Sequence, residues 1–390
     1  MYQGMLLSIL GVLLGAAAEQ PKYEAENVFP FHPKHNHAPG IVECPNGDLI
    51  VSWYRGSGER SADDVAVYGS RKKKGESHWS PAFVMADNPG FPDGNTCMMV
   101  DRQNKLWLFW PIVLANSWES CLTAYRVSSD YQKEGEPKWD WQGVVLLKPV
   151  DFATQFDEAL EREKKRRKIS GLVEAAYVAK VRVHANVKLS QRLGWQTRCK
   201  PIVLPSGRIL LPLYTDTFSV SLIAISDDGG VTWYASQPLW GFGNIQPTLL
   251  RKNDGTIVAY MRENGTTERI RVCESKDEGL TWGPVLESEL LNPGAGVDGV
   301  RLANGHWALV YNDQKEGRNK LAVSISDDEG KTWKWTRHLE NQEKGSFHYP
   351  VVIQGADGMI HAVYSYFVDE GKTMKHAAFN EAWVQAGDPK

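Results

Sequence analysis

Six times along the chain a short apolar run rich in β-branched and aromatic residues meets a polar turn and is followed by a second such run. The six are "CPNGDLIVSW", "VDRQNKLWLFW", "LPSGRILLPLY", "KNDGTIVAYM", "LANGHWALVY" and "GADGMIHAVY". Run, turn and run in this order predict a β-hairpin, because Asn, Asp and Gly accept the backbone conformations that a tight turn demands. The turns stand near residues 47, 104, 207, 255, 305 and 358, a regular spacing broken only by a double gap between 104 and 207. A second periodicity overlies the first. The frame S-x-D-x-G-x-T-W occurs as "SDDGGVTW" at 226 to 233, "SKDEGLTW" at 275 to 282 and "SDDEGKTW" at 326 to 333, its first serines 49 and 51 residues apart. A period of about 40 to 50 residues is that of a four-stranded propeller blade. Six hairpins then predict an all-β fold, a six-bladed β-propeller.

The double gap is filled by residues 151 to 193, rich in Glu, Lys, Arg and Ala with apolar residues at helical spacing. This reads as a helical insertion of one or two helices laid on the propeller, bordering either the cleft or a subunit contact. Its run "EREKKRRK" is expected to be a solvated helix face.

Composition narrows the picture little. A hydrophobic share of 42%, a charged share of 23% and a formal net charge of -3 over 390 residues fit a globular chain with a substantial core and give no basic field for nucleic acid. The first 18 residues, an apolar run ending in Ala16 to Ala18, have the outline of a signal peptide, so residues 19–390 would be the mature propeller, secreted or periplasmic. No later segment is apolar enough to span a membrane. The five cysteines are scattered, with no C-x-x-C pair, and read as buried small hydrophobes. No cluster has metal-ligand spacing, and neither a metal nor a cofactor is expected.

The repeated frame is scaffolding on its chemistry. Its Ser and Asp can satisfy backbone N–H groups in a tight turn and its Trp anchors the blade, and three copies in three blades cannot face one site. The site should lie where the innermost strands begin, at one mouth of the central channel. Nine or ten residues before each turn Gly, with Lys105 as its equivalent in the second hairpin, stand His37, Asn95, Arg198, Gln246 and the pair His348 and Tyr349, and "GVDG" places Asp298 close by. Seven residues after the turn Gly come Tyr54, Tyr214, Arg262, Asn312 and Ser365, with Arg318 just beyond in the fifth blade. Several Arg with His, Tyr and carboxylates around one opening point to an anion pocket, because guanidinium forks match carboxylates. Arg55, which opens the loop "RGSGERSADDVAV", joins this basic set.

The repeated frames, six blades and leader resemble the non-viral sialidases over the whole mature chain apart from the insertion. The resemblance implies that Arg262 in "YMREN" and Arg318 in "KEGRNKLAVSIS" bind a substrate carboxylate. It also implies that Tyr349 in "FHYPVVIQGADG" is the nucleophile or stabilises an oxocarbenium-like transition state. Two positions depart from the family pattern. His37 in "HAPGI" stands where the family has Arg, and Gln246 in "NIQPTLL" where it has the Glu that assists the Tyr, an amide that cannot act as a base. The family's acid/base Asp falls in the loop after the first hairpin, where the candidates are Glu59, Asp63 and Asp64, with Asp64 favoured. The expected function is a sialidase-like glycoside hydrolase, probing an acidic glycan from its end. The alternatives are a uronate lyase using His37 or Tyr349 as base with Arg262 or Arg198 on the carboxylate, and a glycan-binding propeller without turnover.

Overall fold

The computed structural model describes residues 19–167 and 172–389. The expected leader and residues 168 to 171 of the insertion lie outside them. The described chain folds as six antiparallel sheets around a central channel, and the six hairpins form the two inner strands of each. The first blade runs His35–Glu43, Leu49–Gly56, Ala66–Lys72 and Phe83–Ala86 from the inside outward. The second comprises Cys97–Val100, Leu106–Val113, Cys121–Ser128 and Trp141–Val144, and the fourth begins with Asn244–Arg251. In the third blade the inner strand is split into Gln196–Thr197 and Ile202–Val203, both paired with Ile209–Thr215. The sixth blade, whose inner strand is Ser346–Gln354, is completed by Tyr23–Asn27, which pairs with Gly371–Phe379 and so ties the first described strand to the last.

The turn chemistry matches the pattern with one adjustment. Gly47, Gly207, Gly255, Gly305 and Gly358 all take positive φ, and in the second hairpin it is Asn104 (φ 56), not Lys105, that does so. Asn is among the few residues that tolerate this conformation. Nine residues before these turn positions stand Ala38, Asn95, Arg198, Gln246, Gly296 and Tyr349. Four of the six are themselves left-handed: Ala38 (φ 52), Asn95 (φ 33), Gln246 (φ 56) and Tyr349 (φ 54). In the first, fourth and sixth blades the pairing shifts register at this point, a bulge followed by Pro39, Pro247 and Pro350. Proline lacks the N–H that a ladder needs, so it belongs at such a break, and the bulge turns the preceding side chains into the mouth.

Among the described residues the insertion forms three helices where one or two were expected: α1 (Phe152–Arg167), α2 (Leu172–Ala185) and α3 (Lys188–Arg192). Phe152, Phe156, Ala159 and Leu160, at helical spacing on α1, join Trp195, Phe218 and Trp240 in the largest apolar cluster, which also takes in Cys97, Phe109, Leu211 and Leu222 from strands of the second and third blades. Within the charged run Glu161, Arg162, Lys165 and Arg166 are exposed, Lys164 is half-buried and Glu163 is buried. All five cysteines are buried and free.

The repeated frames lie at the far end of the blades from the mouth. Ser226 pairs with Ile209 at the start of its neighbouring strand, while the mouth-side Thr215 pairs with Val220. In each copy the Ser hydroxyl donates to the Asp and accepts from the Gly N–H, and the Asp carboxylate accepts from the Thr N–H and hydroxyl. The frame is scaffolding in geometry as well as in chemistry.

Candidate functional site

At the mouth a cavity of about 220 Å³ opens among the inner strands. The first two blades contribute His37, Tyr54, Glu59, Arg60, Asn95 and Trp118 to its lining, and the third, fourth and sixth contribute Tyr214, Asp216, Gln246, Arg262 and Tyr349. A wider groove of about 310 Å³ lies between the fourth and fifth blades, but it is bordered by Gly330 and Trp333 of a repeated frame, at the opposite end, and two of its charges pair with each other, Lys252 with Glu274. The mouth is where unusual chemistry collects.

Tyr349 stands at its centre. The phenol oxygen accepts from Arg262 Nη1 at 2.8 Å and from Gln246 Nε2 at 3.1 Å. The ring lies 5.9 Å from the Arg318 guanidinium and 4.9 Å from that of Arg198. The same Gln246 amide donates to Tyr214 at 3.2 Å, Asn95 donates to Tyr214 at 3.1 Å and to Gln196 at 3.0 Å, and Gln196 donates to Asp216 at 2.9 Å. One line of amides and hydroxyls thus runs from Tyr349 to Asp216. An amide is no base whichever way it is turned, so nothing bonded to Tyr349 can take its proton. With donors on its oxygen, Tyr349 is left to offer its own hydrogen to a ligand.

Neither Arg262 nor Arg318 forms an ion pair with a carboxylate among the described residues; Arg318 stands beside the Tyr349 ring without lining the cavity and donates to Gly294 O at 2.8 Å, and Arg262 Nε has no partner. Burial lowers the pKa of Arg318 from its ordinary value, with Arg262 adding to the effect. Arg198 is buried beneath the Tyr349 ring, bonded only to Pro350 O, and does not line the cavity. His37 packs flat on Tyr349, centroids 4.2 Å apart, with Nδ1 2.8 Å from Ser365 Oγ. Burial, reinforced by His348, His35, Arg198 and Arg318, pushes its pKa well down, so the imidazole is neutral near pH 7. Asn312 is buried away from the cavity, binding two carbonyls of the fifth and sixth blades.

Asp64, Arg55, Asp298 and Asp63, all expected here, stand elsewhere. Asp64 is exposed in the loop, paired with Lys34 at 2.8 Å and accepting from Ser57, contacts that hold its pKa far below the carboxylate range. It fastens the loop instead of facing the cavity. Arg55 bonds Asn36 at 2.6 Å and packs over Phe29, Trp53 and Tyr68, outside the site. Asp298 is fully buried, bonded to Lys200 at 2.6 Å, Thr248 at 2.7 Å and Val352 N at 2.9 Å, a knot joining four blades. Asp63 accepts from Asn116 and also lies outside the lining.

The loop carboxylate that does face the cavity is Glu59. It sits 3.1 Å from His35 Nε2, accepts from the Tyr54 hydroxyl at 3.2 Å and is 3.7 Å from Arg60. The hydrogen bond from His35 holds its pKa below the usual value. Asp216, Arg60 and Trp118 were not foreseen. Asp216 was within reach, because it follows Tyr214 by two in "LPLYTDT" and strand alternation puts the two on one side. Trp118, in the irregular "ANSWES" stretch, had no such signal. No lining residue comes from the insertion among the described residues.

The family model for the BNR repeat-like domain matches residues 47–194 and 185–362. Over 172 residues the chain is 28% identical to a sialidase of Vibrio cholerae, 35% of this chain but 22% of that protein. The chain therefore spans about a fifth of this curated relative. Among solved structures, a protein of unknown function from Dyadobacter fermentans superposes with a TM-score of 0.70 at 14% identity, covering 92% of this chain and 98% of that one. The leech intramolecular trans-sialidase does so with a TM-score of 0.69 at 11% identity, covering 93% and 71%. At such identities the structures speak for the fold alone. With the family model spanning most of the propeller, the chain belongs to the BNR repeat-like domain family, within the sialidase group of six-bladed propellers.

Proposed function

We propose that the protein is a sialidase-like glycoside hydrolase whose mouth grips an acidic sugar, of the sialic or uronic acid type, at the end of a glycan. The observation that carries this reading is the pair Arg262 and Arg318, two guanidiniums converging on Tyr349 with no carboxylate partner among the described residues. Uncompensated, partly buried cations, Arg262 on the cavity wall and Arg318 beside the Tyr349 ring, are costly unless an anion completes them, and a sugar carboxylate does so with paired hydrogen bonds. Tyr349 and Tyr214, whose oxygens already accept from amides, would turn their hydrogens toward the ring oxygens of the sugar. A cavity of about 220 Å³ suits one sugar ring and favours removal of a terminal residue.

A uronate lyase shares the carboxylate grip, and one observation favours it: His37 lines the cavity as a neutral imidazole against Tyr349, the form that can take a proton from carbon. One experiment separates the two. Sialylated and uronate-containing glycans are incubated with the protein while reducing sugar and ultraviolet absorbance are followed. Hydrolysis releases reducing sugar with no new absorbance, elimination produces both, and neither signal with any acidic glycan overturns the reading as an enzyme.

A further inference from the structure

The strand Ile209–Thr215 of the third blade delivers Tyr214 into the cavity, and Asp216 follows just past its end. The loop after the first hairpin delivers Glu59 to the same cavity. These two carboxyl groups line one cavity in contrasting surroundings. Glu59 has a basic partner, His35 at 3.1 Å, with Arg60 at 3.7 Å and the Tyr54 hydroxyl at 3.2 Å. Asp216 has none: its one side-chain hydrogen bond is from the neutral Gln196 amide at 2.9 Å. The other charged groups around it are Arg262 and Arg60, which favour its ionised form, and Glu119, which opposes it. Burial outweighs them and raises the Asp216 pKa, whereas the His35 hydrogen bond lowers that of Glu59. One carboxyl is arranged to keep a proton and the other to lack one, which is how paired carboxyls divide acid and base work in glycoside hydrolysis.

We infer that Asp216 is the acid that protonates the departing glycosidic oxygen, and that Glu59 is the carboxylate that takes a proton from the attacking water. The inference rests on the reading of the mouth as a hydrolase site and replaces the tyrosine nucleophile, whose oxygen is hydrogen-bonded only to the Gln246 amide and the Arg262 guanidinium, neither of them a base. The bond between the anomeric carbon and the glycosidic oxygen breaks, and its electron pair stays on that oxygen, which receives the Asp216 proton. The water oxygen bonds to the anomeric carbon, and its surplus proton goes to Glu59. Exchange with solvent then restores both groups, so one water is consumed and nothing else. Arg262 and Arg318 hold the sugar carboxylate throughout.

The test uses glycosides that differ only in how much help the leaving group needs. Wild type, Asp216→Asn and Glu59→Gln are compared on para-nitrophenyl and methyl glycosides of sialic acid and of glucuronic acid. An acid is required for methoxide to leave and is nearly dispensable for nitrophenolate. Asp216→Asn is expected to lose about 10²–10⁴-fold in kcat/KM on the methyl glycoside and less than about tenfold on the para-nitrophenyl glycoside. The fall in activity at rising pH, which follows loss of the Asp216 proton, should vanish with it. Glu59→Gln should lose activity on both substrates. Binding of the unreactive thioglycoside by Asp216→Asn, measured by calorimetry, reports that the cavity is intact. Equal losses on the two leaving groups, no loss on either, or loss of thioglycoside binding would each assign Asp216 a structural role and overturn the inference. A wild type that cleaves none of the four glycosides would instead overturn the hydrolase reading beneath it.

Discussion

At the turn end of the third, fourth and fifth blades the same Ser, Asp and Thr side chains repeat the same hydrogen bonds. At the mouth, the position nine residues before each turn is filled in order by Ala38, Asn95, Arg198, Gln246, Gly296 and Tyr349. In these three blades the turn end completes the bonding of its Ser, Asp and Thr groups, while the indole N–H groups of Trp233, Trp282 and Trp307 have no partner among the described residues. The mouth leaves Arg198 Nε and Nη1, Gln246 Oε1, Arg262 Nε and His348 Nδ1 unpartnered, while non-glycine polar residues at positive φ occur at both ends, Asn95, Gln246 and Tyr349 at the mouth and Asn104, Glu278 and Glu329 at the turns. Unmet polar groups cost stability and persist where the surrounding fold overrides them, and the guanidinium, amide and imidazole groups left unmet make the mouth the candidate site. The same strands thus spend stability at one end that they gather at the other.

The largest expected break in this comparison is at the cations. Arg262→Met or Arg318→Met should lower kcat/KM on an acidic glycoside by about 10²–10³-fold, as does loss of one preorganised charge-stabilising donor. Stability in urea should stay level or rise, since an unpaired, partly buried charge is removed. Next comes the opposite change at the opposite end. Asp277→Ala removes the carboxylate that bonds Ser275 and Thr281, and should cost about 1–2 kcal/mol in urea denaturation with kcat/KM unchanged at temperatures below melting.

The two ends should also answer pH with opposite sign. Hydrogen bonds from Thr232 and Thr332 hold Asp228 and Asp328 at about 2, below their ordinary value, so their contribution to stability is complete above the unfolded value of 3.8 and is lost as pH falls toward 2. Asp216 is shifted the other way, and activity that needs its proton falls as pH rises. A pH profile of kcat/KM beside urea denaturation over the same range checks both signs. The smallest effect is expected at Asp64→Ala, which removes only an exposed pair with Lys34 and loop bonds to Ser57 and should change kcat/KM by less than about threefold.

The fold was legible because its signals are local and repeated. A turn needs its Asn, Asp or Gly within a few residues, and six turns with three frames make the blade count hard to miss. Counting from the turn also located His37, Asn95, Gln246 and Tyr349, since a strand keeps a fixed rise per residue. It failed where position depends on partners far away in the chain. Asp298 has the spacing of a mouth residue, yet Lys200 draws it into a buried knot. Arg55 ends a strand whose outer neighbours offer it aromatic rings. Between Glu59 and Asp64 the loop has no period, and the choice was made by Lys34 and His35, both outside it.

The claim on which the rest stands is that the mouth is completed by a carboxylate. The direct measurement is kcat/KM for an acidic glycoside and for its methyl ester, in wild type and in the Arg262→Met, Arg318→Met double variant. The wild type should prefer the free acid by about 10²-fold or more, and the double variant should lose that preference. Equal rates on acid and ester in the wild type, or a preference that survives the loss of both arginines, would contradict it.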